Sequence, residues 1–185
     1  MNGIDITFPS EVYNDQLKLK KMAEPYFPAI FNAACSFISI DDPFWLMASS
    51  LEPELVSEYL IFRTETYIQY LEWATMMGYK FILGGSDVAS NSGAILAPEC
   101  FEKIMLEPLK MISKVCKENN LTYCYRSDGN MWELMDAVFN KAGIGAFGEA
   151  DRDAGMTVEA IKSKYPDLII LGNISSAILH QGSIE

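Results

Sequence analysis

Nothing in this sequence approaches the roughly 18 uninterrupted apolar residues that a membrane helix needs. The first residues, Met1 to Pro9, lack both a basic stretch and an apolar core, so no secretory leader is expected and the cytoplasm is the expected compartment. Basic side chains are scarce, with 14 Lys and Arg against 25 Asp and Glu and a net charge of −11. A phosphate-binding surface needs the opposite balance, so nucleic acid is excluded as a partner, and acidity of this size reads as solubility. Cysteine is sparse and scattered: Cys35, Cys100, Cys116 and Cys124 never reach a C-x-x-C spacing. They read as reduced, mostly buried thiols, and no metal centre is expected from them. Histidine is rarer still, with His180 alone and in a terminal segment. Two matches to the glycosylation sequon, at Asn120 and Asn173, are chance matches in a cytosolic chain.

What is present suffices for one folded domain. The chain has 185 residues, of which 50% are hydrophobic and 21% charged, enough to bury a core. From Phe27 onward, short apolar runs alternate with longer amphipathic ones. Strands are predicted over Pro28 to Ala33, Lys80 to Gly85, Leu121 to Arg126, Ile144 to Gly148 and Asp167 to Gly172. All are nearly continuous in apolarity, as strands covered on both faces are.

Helices are predicted between them. Pro53 to Met77 puts Val56, Leu60, Tyr67, Leu71 and Ala74 on one face and Glu54, Glu58, Glu65 and Glu72 on the other. Pro98 to Asn119 repeats the pattern with Phe101, Ile104, Ile112 and Val115, and Pro108 is expected to kink or split it. Met131 to Lys141 and Met156 to Lys164 are shorter helices, with Asn130 and Thr157 as their N-caps.

This alternation calls for a parallel sheet with right-handed crossovers. A flavodoxin-like open sheet and a β/α barrel both satisfy it. The long helical insertion between the first two strands, and polar residues after every strand end, favour an α/β fold of the partial TIM-type (β/α) barrel kind with about five parallel strands. A complete barrel has about eight strands and about 250 residues. The expected division is therefore 1–27 as the remnant of a preceding helical unit and 28–185 as a barrel segment. Either another polypeptide supplies the missing strands or the chain is a fragment.

In such architectures ligands bind past the strand ends. Those positions hold Asp41 and Asp42; Ser86 and Asp87; Arg126, Ser127, Asp128, Gly129 and Asn130; Glu149, Asp151 and Asp153; and Asn173 with Ser175. Convergent carboxylates bind a hard cation, bind a cationic substrate, or split their pKa values for acid and base work. Asp87 and Asp128 are the catalytic candidates; the bland alternative is turn capping, since Asp128-Gly129-Asn130 is turn chemistry by composition. Arg126 ends an apolar strand and needs a partner there, Asp87 or Glu149; it is the candidate for an anionic substrate group. Ser86, Asn130, Glu149 and Asn173 complete the expected substrate-binding set. The glycine-rich run Gly143 to Gly148 reads as a strand packed close to its neighbour rather than a phosphate cradle.

The ordered set Gly84-Gly85-Ser86-Asp87, Leu96-Ala97-Pro98-Glu99-Cys100-Phe101 with Pro108, Ser127-Asp128-Gly129-Asn130, Ala154-Gly155-Met156 and Leu171-Gly172-Asn173-Ile174 resembles the uroporphyrinogen decarboxylase superfamily. The resemblance runs from about Pro28 to Glu185 and implies a β/α barrel. It implies a carboxy-lyase linked to tetrapyrroles, working without a cofactor through Arg and Asp residues of an N-terminal segment that this sequence lacks. Alternatively it implies a methyltransferase that works with a corrinoid protein. Methyltransferases of the family commonly bind zinc through a His-x-Cys pair; here Arg126 and Asp128 stand at those positions, and an Arg cannot coordinate zinc. Ser175 replaces the family's usual Asp after Gly-Asn.

Three readings follow. The first is a small-molecule lyase of the uroporphyrinogen type, weighed down by a rim poor in positive charge. The second is the corrinoid-dependent methyltransferase acting on a methyl donor. The third is a non-catalytic barrel piece that forms a homodimer or completes itself with another chain through exposed strand edges.

Overall fold

A computed structural model describes residues 10–32, 38–39 and 42–182. The expectations placed on Met1 to Pro9, Ala33, Cys35 and Asp41 lie outside the described residues.

Five strands form one parallel sheet: β1 (Ile30–Asn32), β2 (Phe81–Gly85), then, beyond a small hairpin of β3 (Ala89–Ser90) and β4 (Gly93–Ala94), β5 (Thr122–Ser127), β6 (Ala146–Glu149) and β7 (Ile169–Gly172). Their order in space is β1-β2-β5-β6-β7, the order in sequence, as a sheet curling toward a barrel requires. The fold is thus α/β, a partial TIM-type barrel with five parallel strands. Each predicted strand is found, shifted by a residue or two. Within the described residues β1 and β7 pair on one side only.

Helices cover one face. The first, α1 (Ser10–Ala23), precedes β1 and sets Lys20 over the Tyr79 ring at 5.4 Å. Next comes α2 (Pro43–Leu51), capped by Asp42, whose carboxylate accepts from the Phe44 N–H at 2.9 Å. Asp42 is therefore engaged as a helix cap. In α3 (Pro53–Met76) the buried residues include Val56, Leu60, Tyr67, Leu71 and Ala74, the predicted stripe, with Thr64 between them. It packs along α4 (Pro98–Glu118), which buries Phe101, Ile104, Leu109 and Ile112. Helices α2, α3 and α4 each begin with proline, whose missing N–H costs nothing in the first turn. Pro108 does not split α4, which runs unbroken through it with Pro108 buried. Burial of its ring offsets the one hydrogen bond lost.

One predicted helix is corrected. Between Met131 and Lys141 only Asp136–Lys141 is regular, and it is a π-helix closed by the Ala142 N–H on the Ala137 carbonyl. Leu134, Met135, Ala137, Val138 and Phe139 are all buried. Three of these, Ala137, Val138 and Phe139, are consecutive and lie within the π-helix, whose wider turn suits a run broader than the apolar stripe of an α-helix. Thr157 caps α5 (Val158–Lys164) as expected, accepting from Ala160 N–H at 3.3 Å, and α6 (Ser176–Gln181) follows β7. No helix among the described residues is long and apolar enough to cross a membrane.

The register sorts the side chains. Gly84, Tyr125, Phe147 and Ile170 lie opposite one another. Phe147 meets Phe139 at 5.3 Å between ring centroids, so this row faces the helices. The alternate row, Gly85, Arg126, Gly148 and Leu171, faces the opposite side, the barrel interior. Arg126 projects there because its place in the strand alternation dictates it.

Candidate functional site

All five strands run in one direction, so their C-terminal ends form one rim. The β2 and β5 ends are bolted together there. The Asp128 backbone N–H donates to Asp87 Oδ1 at 3.1 Å, and the Val88 N–H donates to Ser127 Oγ at 3.2 Å. Ser127 is fully buried and its hydroxyl donates on to the Asp128 carbonyl at 2.9 Å. The β3–β4 hairpin then seats on the turn, with the Asn130 N–H on the Ser90 carbonyl at 2.8 Å and the Ala94 N–H on Glu133 Oε2 at 3.2 Å.

Gly129 is the residue this packing depends on. Its φ is +81°, and a Cβ there would lie 2.6 Å from the Ala89 carbonyl oxygen. Only glycine allows both the left-handed turn and the approach of the hairpin. Asn130 caps the next turn through Oδ1, which accepts from Trp132 N–H at 3.2 Å.

Beside this pair, Arg126 Nη1 meets Glu149 Oε1 at 3.1 Å. Of the two partners expected for Arg126, Asp87 and Glu149, the structure pairs it with Glu149. The second Glu149 oxygen, Oε2, is buried and has no hydrogen-bond partner among the described residues, as is also true of Ser86 Oγ. Glu149 sits on a strained corner: its φ is 76°, that of Ala150 is 43° and that of Asn173 is 73°. The Asn173 amide nitrogen donates to the carbonyls of Ala150 and Met156, each at 2.7 Å. Asp151 caps a short 3-10 turn, accepting from Asp153 N–H at 2.9 Å, while Asp153 Oδ2 accepts from the Ser175 hydroxyl at 2.5 Å.

The carboxylates feel one another. Asp87 and Asp128 are both exposed at the rim; partial desolvation, then the charges of Asp87 and Asp151, push the Asp128 carboxyl above its ordinary range, with Arg126 opposing. Burial also pushes Glu149 up; Arg126 pulls it down, while Asp128 and Asp87 add to the rise. Asp87, Asp128, Arg126 and Glu149 therefore form one electrostatic group, the arrangement that separates pKa values for proton transfer. The Cys124 thiol lies buried beneath it, pushed up to about 12 by burial and by Glu149.

The structure thus gathers Asp87, Asp128, Arg126 and Glu149, with Asp151 coupled to them. Ser86 and Asn130 flank Asp87 and Asp128 in sequence, and Asn173 supports Glu149 from behind. Asp42 stands apart as a cap. His180 lies in α6 beside Ala177, Leu179 and Gln181. The sequence reading missed the β3–β4 hairpin and Glu133. The signal was present: Ser90-Asn91-Ser92-Gly93 is a turn sequence between two apolar pairs.

The zinc site that the family resemblance brings into question does not fit these residues. Where the His would stand, the Arg126 guanidinium has no lone pair to give and is engaged by Glu149. Among the described residues no three His, Cys, Asp or Glu side chains are grouped to hold a metal ion.

Comparison with solved structures finds a methyltransferase from Methanosarcina mazei with a TM-score of 0.56 and 15% sequence identity. The match covers 85% of this chain and 56% of that one, so this chain spans little more than half the length of its structural neighbour. At such identity the likeness is one of fold. No curated protein matches the chain. The profile described as uroporphyrinogen decarboxylase (URO-D) matches residues 5–185. By that match over nearly its whole length, the chain belongs to the uroporphyrinogen decarboxylase family.

Proposed function

We propose that this rim carries out decarboxylase-type lyase chemistry on a small molecule, with Asp128 as the proton donor and Asp87 as its neighbouring carboxylate. The observation that carries the reading is the Asp87–Asp128 contact at the solvent-facing rim, where partial desolvation and like charge hold the Asp128 carboxyl above its ordinary range. A carboxylic acid that keeps its proton nearer to neutral pH is what protonation of a departing carbanion needs.

In the step proposed, the bond between the substrate carbon and its carboxylate breaks and CO2 leaves. The electron pair stays on carbon, and the Asp128 proton joins it. Solvent then reprotonates Asp128, and no cofactor takes part. Arg126 would receive the substrate carboxylate in place of Glu149, with Ser86 and Asn130 contributing hydrogen bonds. A tetrapyrrole-linked substrate is the first to test, given the family.

A second reading has one observation in its favour. Arg126 stands among Asp87, Asp128, Glu149 and Asp151 and is already paired. A polycarboxylate meets net repulsion at such a rim, whereas an uncharged or cationic methyl donor, whose methyl group passes to a corrinoid protein partner while the demethylated donor leaves, would not. Under either reading, the outer edges of β1 and β7, which are the ends of the sheet among the described residues, are where a second copy or a complementing chain would add.

Purified protein incubated with uroporphyrinogen, followed for CO2 release and for less carboxylated products, tests the first reading. Methylcobalamin formation from methyl donors, measured in parallel, tests the second. Decarboxylation that Asp128→Asn abolishes supports the first; methyl transfer without decarboxylation replaces it with the second.

A further inference from the structure

The end of β6 is held in a conformation that its residues would not choose. Glu149 and Ala150 both have positive φ, 76° and 43°, and neither is glycine. In that region the Cβ of an L-residue crowds its own backbone, so neighbouring structure must hold the chain there. The neighbour is the end of β7. A side chain on Gly172 would collide with the Glu149 carbonyl, so the two backbones lie in direct contact. The Asn173 N–H donates to that same carbonyl at 3.1 Å. The Asn173 side chain then spans the corner, donating to the Ala150 carbonyl on one side and the Met156 carbonyl on the other, both at 2.7 Å.

Both donors of the Asn173 amide nitrogen are accounted for by these two carbonyls. What the corner achieves is the direction of Glu149. Its Oε1 reaches Arg126, and its Oε2 is buried with no partner among the described residues. An extended backbone at Glu149 would carry the side chain to another side of the strand end.

We infer that Asn173 is a positioning residue: its amide fixes the left-handed Glu149-Ala150 corner and thereby turns the Glu149 carboxyl onto Arg126 at the rim. The inference rests on the rim being the working site, but its readout is the titration of Glu149 itself, so a failed activity assay leaves it standing.

The charged groups acting on Glu149 are Arg126, Asp128 and Asp87. Protein labelled with 13C at glutamate carboxyls reports the Glu149 midpoint, assigned by Glu149→Gln. The wild type is expected to titrate above the ordinary glutamate range. In Asn173→Ala the corner relaxes, Glu149 swings toward solvent, and its midpoint falls toward that range. Adding Ala150→Gly restores the wild-type midpoint, because glycine takes the left-handed conformation without the amide's help. A merely structural role for Asn173 would alter stability but would not give this restoration. A folded Asn173→Ala protein with an unchanged Glu149 midpoint overturns the inference, as does a lowered midpoint that Ala150→Gly does not restore. Where Asn173→Ala fails to fold, the wild type decides by side-chain amide exchange. Two slowly exchanging Asn173 protons support the clamp, and fast exchange overturns it.

Discussion

The backbone N–H of Asp128 donates to the side chain of Asp87 at 3.1 Å, joining residues 41 positions apart at the ends of adjacent strands. One carboxylate oxygen of Asp87 is thus spent on holding the turn that presents the other acid. The two acids share their environment, and each can be tested through its partner.

Replacing Asp87 with Asn keeps an acceptor oxygen but removes a charge. Asp87 is the second-largest influence raising the Asp128 pKa, after partial desolvation. The Asp128 midpoint in Asp87→Asn, followed by carboxyl NMR, should therefore fall, with stability nearly unchanged. Asp87→Ala removes the acceptor as well and should cost about 1 kcal/mol in urea denaturation.

Asp128 also makes stability depend on pH in an unusual direction. Its folded pKa lies above its unfolded one, so the folded state binds the proton more tightly. Below both pKa values this carboxyl carries no penalty, and the penalty grows as pH rises through the window between them. Asp128→Asn should accordingly be more stable than the wild type at neutral pH, with the gain vanishing as pH drops below the ordinary aspartate value of about 4. Melting curves at several pH values measure this, and a variant less stable at neutral pH would count against the partial desolvation and repulsion described.

Gly129→Ala meets two obstacles at once, a φ of +81° and an Ala89 carbonyl oxygen 2.6 Å from the new methyl group. The left-handed conformation alone costs roughly 1–2 kcal/mol for a non-glycine residue. The variant should lose about 2 kcal/mol or more in denaturation. It should also expose the Asn130 N–H to hydrogen exchange, because the hairpin can no longer seat.

Cys116 and Cys124 are buried thiols, each pushed up to about 12 by burial. In native protein at pH 8 both should resist alkylation by iodoacetamide, and both should react after unfolding. Fast native labelling of Cys124, read by mass spectrometry, would mean that the barrel interior opens to solvent.

Much of this could be read from the residues. The five strands announce themselves because strands covered on both faces are continuously apolar, and α3 does so because its buried positions repeat at helical spacing. The pairing of Arg126 was foreseeable from its charge at an apolar strand end. Other features were not legible. The π-helix at Asp136–Lys141 comes from tertiary crowding of buried side chains, which local periodicity does not record. The strained corner at Glu149 and Ala150 is imposed from β7, a strand about 20 residues away in sequence, and neither residue type favours positive φ. Asn173 drew notice as a polar residue after a strand, but its partners are backbone carbonyls that only the folded chain brings within reach.

The central claim is that Asp128 at this rim delivers a proton to a substrate that loses CO2. Its most direct test is the rate of uroporphyrinogen decarboxylation by the wild type and by Asp128→Asn under identical conditions. The account predicts measurable CO2 release by the wild type and a loss of about 100-fold or more in the variant, the scale on which a positioned proton donor contributes. A wild type that releases no CO2, or a folded Asp128→Asn protein that releases it as fast as the wild type, would contradict it.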